Sequence, residues 1–174
     1  RLVTRRIAVP SGPMGIALDE QNRRAVVWSQ FDASVSVIDL ASDVPETVRI
    51  AVDYRPTPQA FASAAGRELF HTTDDSRISN DGVACASCHP DGRDDSLTWS
   101  TPEGPRQTIM LAGRTPGTAP YGWVGKHGDL KTYIKNTFSR LGGRGLPARD
   151  LDALSGYLDV MPGPAANGWA ESKD

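Results

Sequence analysis

The chain has only two cysteines in 174 residues, and it lacks any apolar run near the roughly 18 residues that a membrane-spanning helix needs. Two cysteines are too few for a fold stabilised by several disulfides, so this pair has to be interpreted by its spacing. The net charge is −2 and neither half of the chain is strongly biased, which argues against a nucleic-acid or anionic-membrane surface as its main partner. The sequence also lacks an initiator Met and a secretory leader, so we expect a segment of a longer protein.

The first part of the chain has the pattern of short β-strands separated by polar turns. Candidate strands lie at residues 15–18, 25–28 and 34–40, where small polar and β-branched apolar residues alternate or cluster. Branched side chains of this kind suit a pleated surface. We therefore predict an antiparallel β segment over residues 1–53. Because no histidine or cysteine occurs in it, the sequence indicates no reactive or metal-binding site there.

Residues 10–42 resemble one blade of the repeat β-propellers, in which a "P-x-G-I-A" strand, a turn and a "V-S-V-I-D" strand recur. Such blades repeat every ~40–45 residues and need neighbours to bury their faces. Only one such unit is present, so the resemblance implies a propeller-blade remnant. The alternative is that these strands simply pack on the second domain.

A linker is predicted at residues 54–59, and beyond it the pattern becomes mainly helical with long loops. The first helix is expected to begin at Pro58, the second to cover residues 129–139, and the third to follow Pro147. The tail, residues 163–174, is rich in Gly, Ala and Pro and is predicted to be flexible. Apolar residues that share one face of the third helix are Leu151, Leu154, Leu158 and Met161.

The two cysteines occur in the stretch "CASCH", which is Cys85, Cys88 and His89 with two intervening residues. Positions i and i+3 lie on one side of a single helical turn, so both sulfurs can reach the two vinyl groups of one haem. The following imidazole can then bind the iron, and Cys-x-x-Cys-His is the attachment signal for c-type haem. The sequence therefore predicts one covalently attached haem c with His89 as its proximal ligand.

Three other uses of the cysteine pair are less consistent with the sequence. A zinc site normally has four ligands, whereas the chain has no second cysteine pair and only His71 and His127 besides His89. A thioredoxin-type redox pair would lie between a strand and a helix, but here a polar loop, "PDGRDDS", follows the motif. A pair of buried structural thiols would leave His89 unexplained.

Four segments of the second part resemble class I cytochromes c, and more closely the haem domains of bacterial di-haem cytochrome c peroxidases and their relatives. The resemblance implies a mainly α cytochrome c fold, with about three or four helices around one covalently bound haem, over residues 60–162. The preceding β segment would be a separate N-terminal addition. The segments are "GRELF" at 66–70, "SNDGVACASCH" at 79–89, "GPRQTIMLAGRTPGTAPYGWVG" at 104–125 and "DLDALSGYL" at 150–158.

The same resemblance implies roles for residues around the haem. Leu111 is expected to touch the proximal face, and a backbone carbonyl near residues 108–109 is expected to accept the second imidazole N–H of His89. The family usually has Pro where this chain has Ile109. The residues that resemble propionate-binding groups are Arg114, Tyr121 and Trp123.

The sixth haem ligand is the least determined feature of the sequence. Neither the loop "SRLGGRGLPARD" nor the preceding helix contains the Met that these families use. His127, at the entry to the second helix, is our candidate distal ligand, with an open or water-filled site and Met110 as alternatives. Met161 is expected to be a core residue and His71 to be exposed.

These expectations favour a mono-haem c-type cytochrome domain that transfers single electrons to a redox partner or a fused domain. A peroxidase-like haem enzyme with an open distal site, or a haem-based sensor, remain alternatives. Di-haem peroxidases need two haems, whereas this chain has one attachment motif, so an electron-transfer module is favoured over an independent catalyst. Because bacteria attach haem to this motif outside the cytoplasm, the resemblance implies a periplasmic or extracellular location.

Overall fold

The computed structural model describes residues 5–42, 47–53, 57–101 and 103–165, apart from the side chains of residues 59–62. Its internal contacts divide the chain into two units, Arg1–Gln59 and Ala60–Asp174. Residues 54–56 of the predicted linker and residues 166–174 of the predicted tail lie outside the described part. Pro58 and Gln59, the last two residues of that linker, belong to the first helix.

The predicted mainly α cytochrome c fold is wrong. The described residues are 28% helical and 24% strand, and a four-stranded antiparallel sheet makes the chain a mixed α/β protein. Four helices are present in the described part, but one of them is only four residues long. The prediction failed because three strands carry too few inward-facing apolar residues to produce an alternating pattern.

The first unit is an antiparallel sheet with the strand order β1-β2-β3-β4. Three of its strands confirm the predicted ones, and β4 was missed because all five of its residues are exposed. The register aligns Leu18, Ala25 and Ile38, which puts them on one face of the sheet. Ala25, Val27 and Ile38 are buried there, so this face carries the small core of the unit. The strands are β1 Pro13–Asp19, β2 Arg24–Ser29, β3 Ser34–Asp39 and β4 Thr47–Ala51.

The two edge strands expose apolar side chains on opposite faces of this sheet. Ile16 of β1 is 72% exposed and pairs with Val27, whereas Ile50 of β4 is 51% exposed and pairs with Val35. Val27 and Val35 lie on different faces, because Val35 pairs with Trp28, the next residue along β2. Apolar surface is therefore left on both sides of the sheet.

The second unit contains all four helices of the described part and a short hairpin. The three long helices confirm the sequence prediction to within about two residues at each end, which is the usual uncertainty of helix boundaries. Asp129 caps the helix that begins at Leu130, since its Oδ1 accepts the N–H of Thr132 at 2.8 Å. The elements are α1 Pro58–His71, α2 Cys85–Cys88, β5 Thr98–Thr101, β6 Gly104–Gln107, α3 Leu130–Arg140 and α4 Ala148–Val160.

Helices α1, α3 and α4 enclose the main core of this unit. Helix α1 approaches α4 closely at Gly66, where a Cβ would overlap the carbonyl of Ala153 and lie 2.7 Å from the Cβ of Tyr157. The predicted apolar stripe of α4 is confirmed, because its four members are all buried. The buried cluster is Phe70, Ile78, Ala112, Ile134, Phe138, Leu151, Leu154, Leu158 and Met161.

Candidate functional site

The two cysteines and the histidine lie on and just after α2, which is a single helical turn. The N–H of Ala84, in extended backbone before this turn, donates to the Oγ of Ser87 at 3.1 Å. The N–H of His89 donates to the carbonyl of Cys85 at 2.9 Å and closes the turn. Both cysteines are half-buried and unpaired. One turn therefore presents two free sulfurs three positions apart, followed directly by an imidazole.

Both thiols are in surroundings that keep them protonated. Cys85 packs against the main core, and burial raises the pKa of its thiol to about 11. Burial also raises the pKa of Cys88, and the neighbouring carboxylates Asp95 and Asp81 raise it further. A thioredoxin-type reactive cysteine needs a lowered pKa, so these environments oppose that alternative.

The imidazole of His89 is held by backbone oxygens. Its Nδ1 lies 3.2 Å from the carbonyl oxygen of Arg93, and the backbone of Ile109 also hydrogen-bonds to the ring. Burial lowers the pKa of His89, and the two backbone contacts partly oppose this effect. With Nδ1 protonated and donating to Arg93, the neutral ring has its lone pair on Nε2, which is the form that binds metals. The backbone of Ile109, which contacts the His89 ring, belongs to the segment from which the resemblance implies an acceptor for the imidazole N–H.

The turn after His89 connects this site to the segment that contains Leu111. The carbonyl of Gly92 accepts the N–H groups of Leu111 at 2.8 Å and of Ala112 at 2.9 Å. Leu111 is half-buried and packs against the main core. Gly92 has a φ of +71°, and a Cβ at this position would overlap the Sδ of Met161, so both conformation and space require glycine.

Two of the predicted propionate-binding residues donate their polar hydrogens to backbone carbonyls. The hydroxyl of Tyr121 donates to the carbonyl of Thr115 at 2.8 Å. The Nε1–H of Trp123 donates to the carbonyl of Gln107 at 3.1 Å. Arg114 is exposed to solvent. Of the three residues, Arg114 therefore has the side chain best placed to accept a new anionic partner.

The candidates for a sixth ligand lie in different surroundings. Met110 follows Ile109, which contacts His89, and the side chain of Met161 reaches Gly92 in the turn after His89. Met110 thus follows a residue bonded to His89, and Met161 packs against the turn after His89. His71, expected to be exposed, is half-buried at the end of α1, where its Nδ1 lies 2.8 Å from the carbonyl oxygen of Arg67.

His127 is positioned by a short backbone pairing and by an aromatic neighbour. It pairs with Tyr121 through two backbone hydrogen bonds, the shorter being 2.7 Å from the Tyr121 N–H to the His127 carbonyl. Its half-buried ring lies 5.4 Å from the ring of Tyr133, measured between centroids. Neither of these contacts uses a ring nitrogen of His127, so the ring can still accept a metal.

Five large apolar side chains in the segments that follow His89 along the chain are exposed, and sequence reasoning missed them. We call this set the apolar patch: Leu97, Trp99, Ile109, Trp123 and Val124. Trp123 is 53% exposed, and the guanidinium of Arg106, the cross-strand partner of Trp99, lies 5.9 Å from the centre of its ring. The stretch "TWSTPEGPRQ" carried the signal, because its Pro-Glu-Gly turn between two short runs indicates a hairpin.

No protein-family profile, curated protein or solved structure matches this chain. Within the described residues, no three His, Cys, Asp or Glu side chains converge on a position where they could hold a metal ion together. In the same residues, none of the helices has the length and apolar character that crossing a bilayer demands. Any assignment of function therefore rests on the site's own residues.

Proposed function

We propose that this protein is a mono-haem c-type cytochrome that transfers single electrons. The observation that carries the proposal is the turn at Cys85–Cys88, where two free protonated thiols are followed by an imidazole with its Nδ1 held by a backbone carbonyl. Sulfurs at i and i+3 match the requirement for two thioether bonds to one porphyrin. When bound, the haem supplies an iron that is reversibly oxidised and reduced by one electron.

Three observations support the proposal of a haem at this site. Cys85 and Cys88 are not consumed in a disulfide, so both sulfurs are available for thioether bonds. The Arg93 carbonyl lies where it can accept the Nδ1–H of His89, and in that tautomer the lone pair of Nε2 would bind the iron, as in other metal-binding histidines with a backbone acceptor. The exposed side chains of the apolar patch, which includes Ile109 next to His89, are apolar surface that a large flat apolar group would remove from water.

We take His127 as the sixth ligand within this proposal. Met110 follows a residue bonded to His89, and Met161 packs against the turn after His89. Nδ1 of His71 lies at hydrogen-bond distance from the Arg67 carbonyl at the end of α1. The ring nitrogens of His127, by contrast, are not used in its packing on Tyr133. Two histidine ligands would keep small molecules away from the iron and restrict it to electron transfer. An open position would instead permit peroxidase-like or sensor chemistry.

The first unit is proposed to be one blade of a β-propeller in a larger propeller–cytochrome protein. Supporting this, it is a four-stranded antiparallel sheet in sequential order, and it exposes apolar side chains on both faces. A sheet of this kind gains stability when further sheets cover it. The electron donor or acceptor would be this fused part or a separate redox partner, and the location would be periplasmic or extracellular.

A potentiometric titration of the haem-loaded protein tests the electron-transfer function. The absorption of the haem should follow a one-electron Nernst curve that is fully reversible, and the reduced protein should bind carbon monoxide slowly or not at all. Rapid carbon monoxide binding together with turnover of peroxide would contradict the electron-carrier function and favour the peroxidase-like alternative. A His71→Ala variant serves as a control, because it removes a histidine outside the proposed ligand set.

A further inference from the structure

A cavity lies beside the C-terminal half of α3. The loop at residues 143–147 and the C-terminal half of α3 enclose a cavity of about 550 Å³. None of Cys85, Cys88 and His89 lines it. Its lining residues are Arg77, Lys135, Phe138, Ser139, Gly143, Arg144, Gly145, Leu146 and Pro147.

The loop that forms one wall of the cavity is tightly fixed. The N–H of Arg144 donates to the carbonyl of Ser76 at 3.1 Å, and the N–H of Gly145 donates to the carbonyl of Arg77 at 2.8 Å. A Cβ on Gly143 would lie within 2.6 Å of the backbone of Arg77 and Ile78, so only glycine allows this approach. The cavity wall is therefore built into the fold before any ligand arrives.

Among the residues that the structure describes, three cationic side chains and no carboxylate line the cavity. Arg77 is bound from outside the cavity by Asp75 at 2.6 Å and by Asp150 at 2.8 Å. The guanidinium of Arg144 donates to the hydroxyl of Ser76. Among the described residues Lys135 has no ion-pair partner, although its charge contributes to lowering the pKa of Asp129. Three cations against two carboxylates leave one net positive charge around the cavity.

Apart from Ser139 and two glycines, the rest of the lining is apolar. Phe138 is buried in the main core and forms part of the cavity wall, while Leu146 and Pro147 come from the loop. Cations beside an apolar wall complement a ligand that carries one negative charge on a compact apolar body. Arginine held in place by other groups loses little freedom when it binds a carboxylate.

We propose that this cavity binds a small organic monoanion, specifically a carboxylate attached to a compact apolar or aromatic group. Lys135 and Arg144 pair with the carboxylate, and Phe138, Leu146 and Pro147 cover the apolar part. The site is independent of the proposed haem function, since it shares none of the residues of the CASCH turn.

Calorimetric titration of the full chain with benzoate, and with its neutral counterpart benzamide, tests the proposal. Benzoate should bind saturably, and benzamide should bind about tenfold more weakly, because it cannot form charge-assisted hydrogen bonds. Lys135→Gln should weaken benzoate binding about threefold, as expected for an exposed ion pair, and Lys135→Glu should weaken it further. Both substitutions are at an exposed position of α3 and should leave the fold intact.

Lys131→Gln provides the matched control. Lys131 lies on the same helix but outside the cavity, and it pairs with Asp152 at 2.8 Å. This variant should bind benzoate as tightly as the unchanged chain does. Non-saturable binding, equal affinity for benzamide, or an affinity that Lys135→Glu does not alter would overturn the proposal.

Discussion

The side chain of His127 determines, within the proposed function, whether the haem iron is closed or open to small molecules. Its ring packs on Tyr133 with both nitrogens still available, whereas Met110 is in the segment that contacts His89. An iron with two histidine ligands is low-spin, and loss of one ligand produces an open, high-spin centre.

We therefore expect His127→Ala to convert the oxidised haem protein from low spin to high spin and to permit carbon monoxide binding after reduction. Met110→Leu should leave the spectrum unchanged, because its side chain packs against the main core. Absorption and electron paramagnetic resonance spectra of the two variants measure this directly. A spectrum that changes in Met110→Leu and not in His127→Ala would reverse the assignment.

A second residue-scale effect concerns Asp75, whose carboxylate is bound by the guanidinium of Arg77. This hydrogen bond holds the pKa of Asp75 below its ordinary value. A lowered folded-state pKa means that the contribution to stability is complete above the unfolded value of about 3.9 and is lost as pH falls below it. Arg77 also reaches Asp150 at the start of α4, so the interaction joins two segments of the second unit.

We expect Asp75→Asn to reduce the free energy of unfolding at pH 7 and to flatten its decline as the pH falls below the unfolded pKa of about 3.9. Urea unfolding at several pH values measures the effect. Asp159→Asn, which changes an exposed carboxylate at the end of α4, should keep the pH dependence of the unchanged protein. An identical acid decline in Asp75→Asn would show that this pair does not contribute.

At the scale of secondary-structure elements, the close approach of α1 and α4 depends on Gly66, a residue without a side chain. Gly66 lies against the carbonyl of Ala153, and Phe70, one turn later, meets Tyr157 edge to face with 5.6 Å between ring centres. Gly156 lies on α4 as well, but nothing is within 4 Å of the position that its Cβ would occupy.

The two glycines should therefore respond oppositely to the same substitution. Gly66→Ala should destabilise the protein by about 2 kcal/mol, because the helices must separate to admit the methyl group. Gly156→Ala should stabilise it by about 0.5 kcal/mol or more, since alanine is the better helix former. Thermal and urea unfolding of both variants provide the comparison, and equal effects of the same sign would contradict the described crossing.

Most elements that sequence patterns predicted bury one face, and β1 is the exception, since six of its seven residues are exposed. Helices α1, α3 and α4 each place apolar residues at helical spacing, and β2 and β3 alternate buried and half-buried residues. Strand β4 and the β5–β6 hairpin were missed because they are short and mostly exposed, so no core imposes a period on them. Their pairing partners, and not their own sequences, determine their conformation.

At the scale of the whole molecule, the sequence predicted one local turn and most helices and strands, but it predicted the wrong fold class. The CASCH spacing predicted a helical turn with both cysteines on it, and the structure has this turn, because it depends on a few consecutive residues. The attachment of a haem to that turn stays a prediction. The apolar patch could not be predicted, because Trp99 and Trp123 are distant in sequence and are linked through Arg106 of the hairpin. The mixed α/β composition was also missed, since two independently patterned units share the chain.

Covalent attachment of one haem to Cys85 and Cys88 is the central claim, and the mass of the unfolded chain tests it most directly. The protein should be secreted in cells that carry a c-type haem maturation system, purified, unfolded and weighed. We expect the polypeptide to retain the mass of one haem, and the double variant Cys85→Ser, Cys88→Ser to weigh no more than its bare chain. A folded, secreted wild-type chain that loses all haem on unfolding would contradict the account.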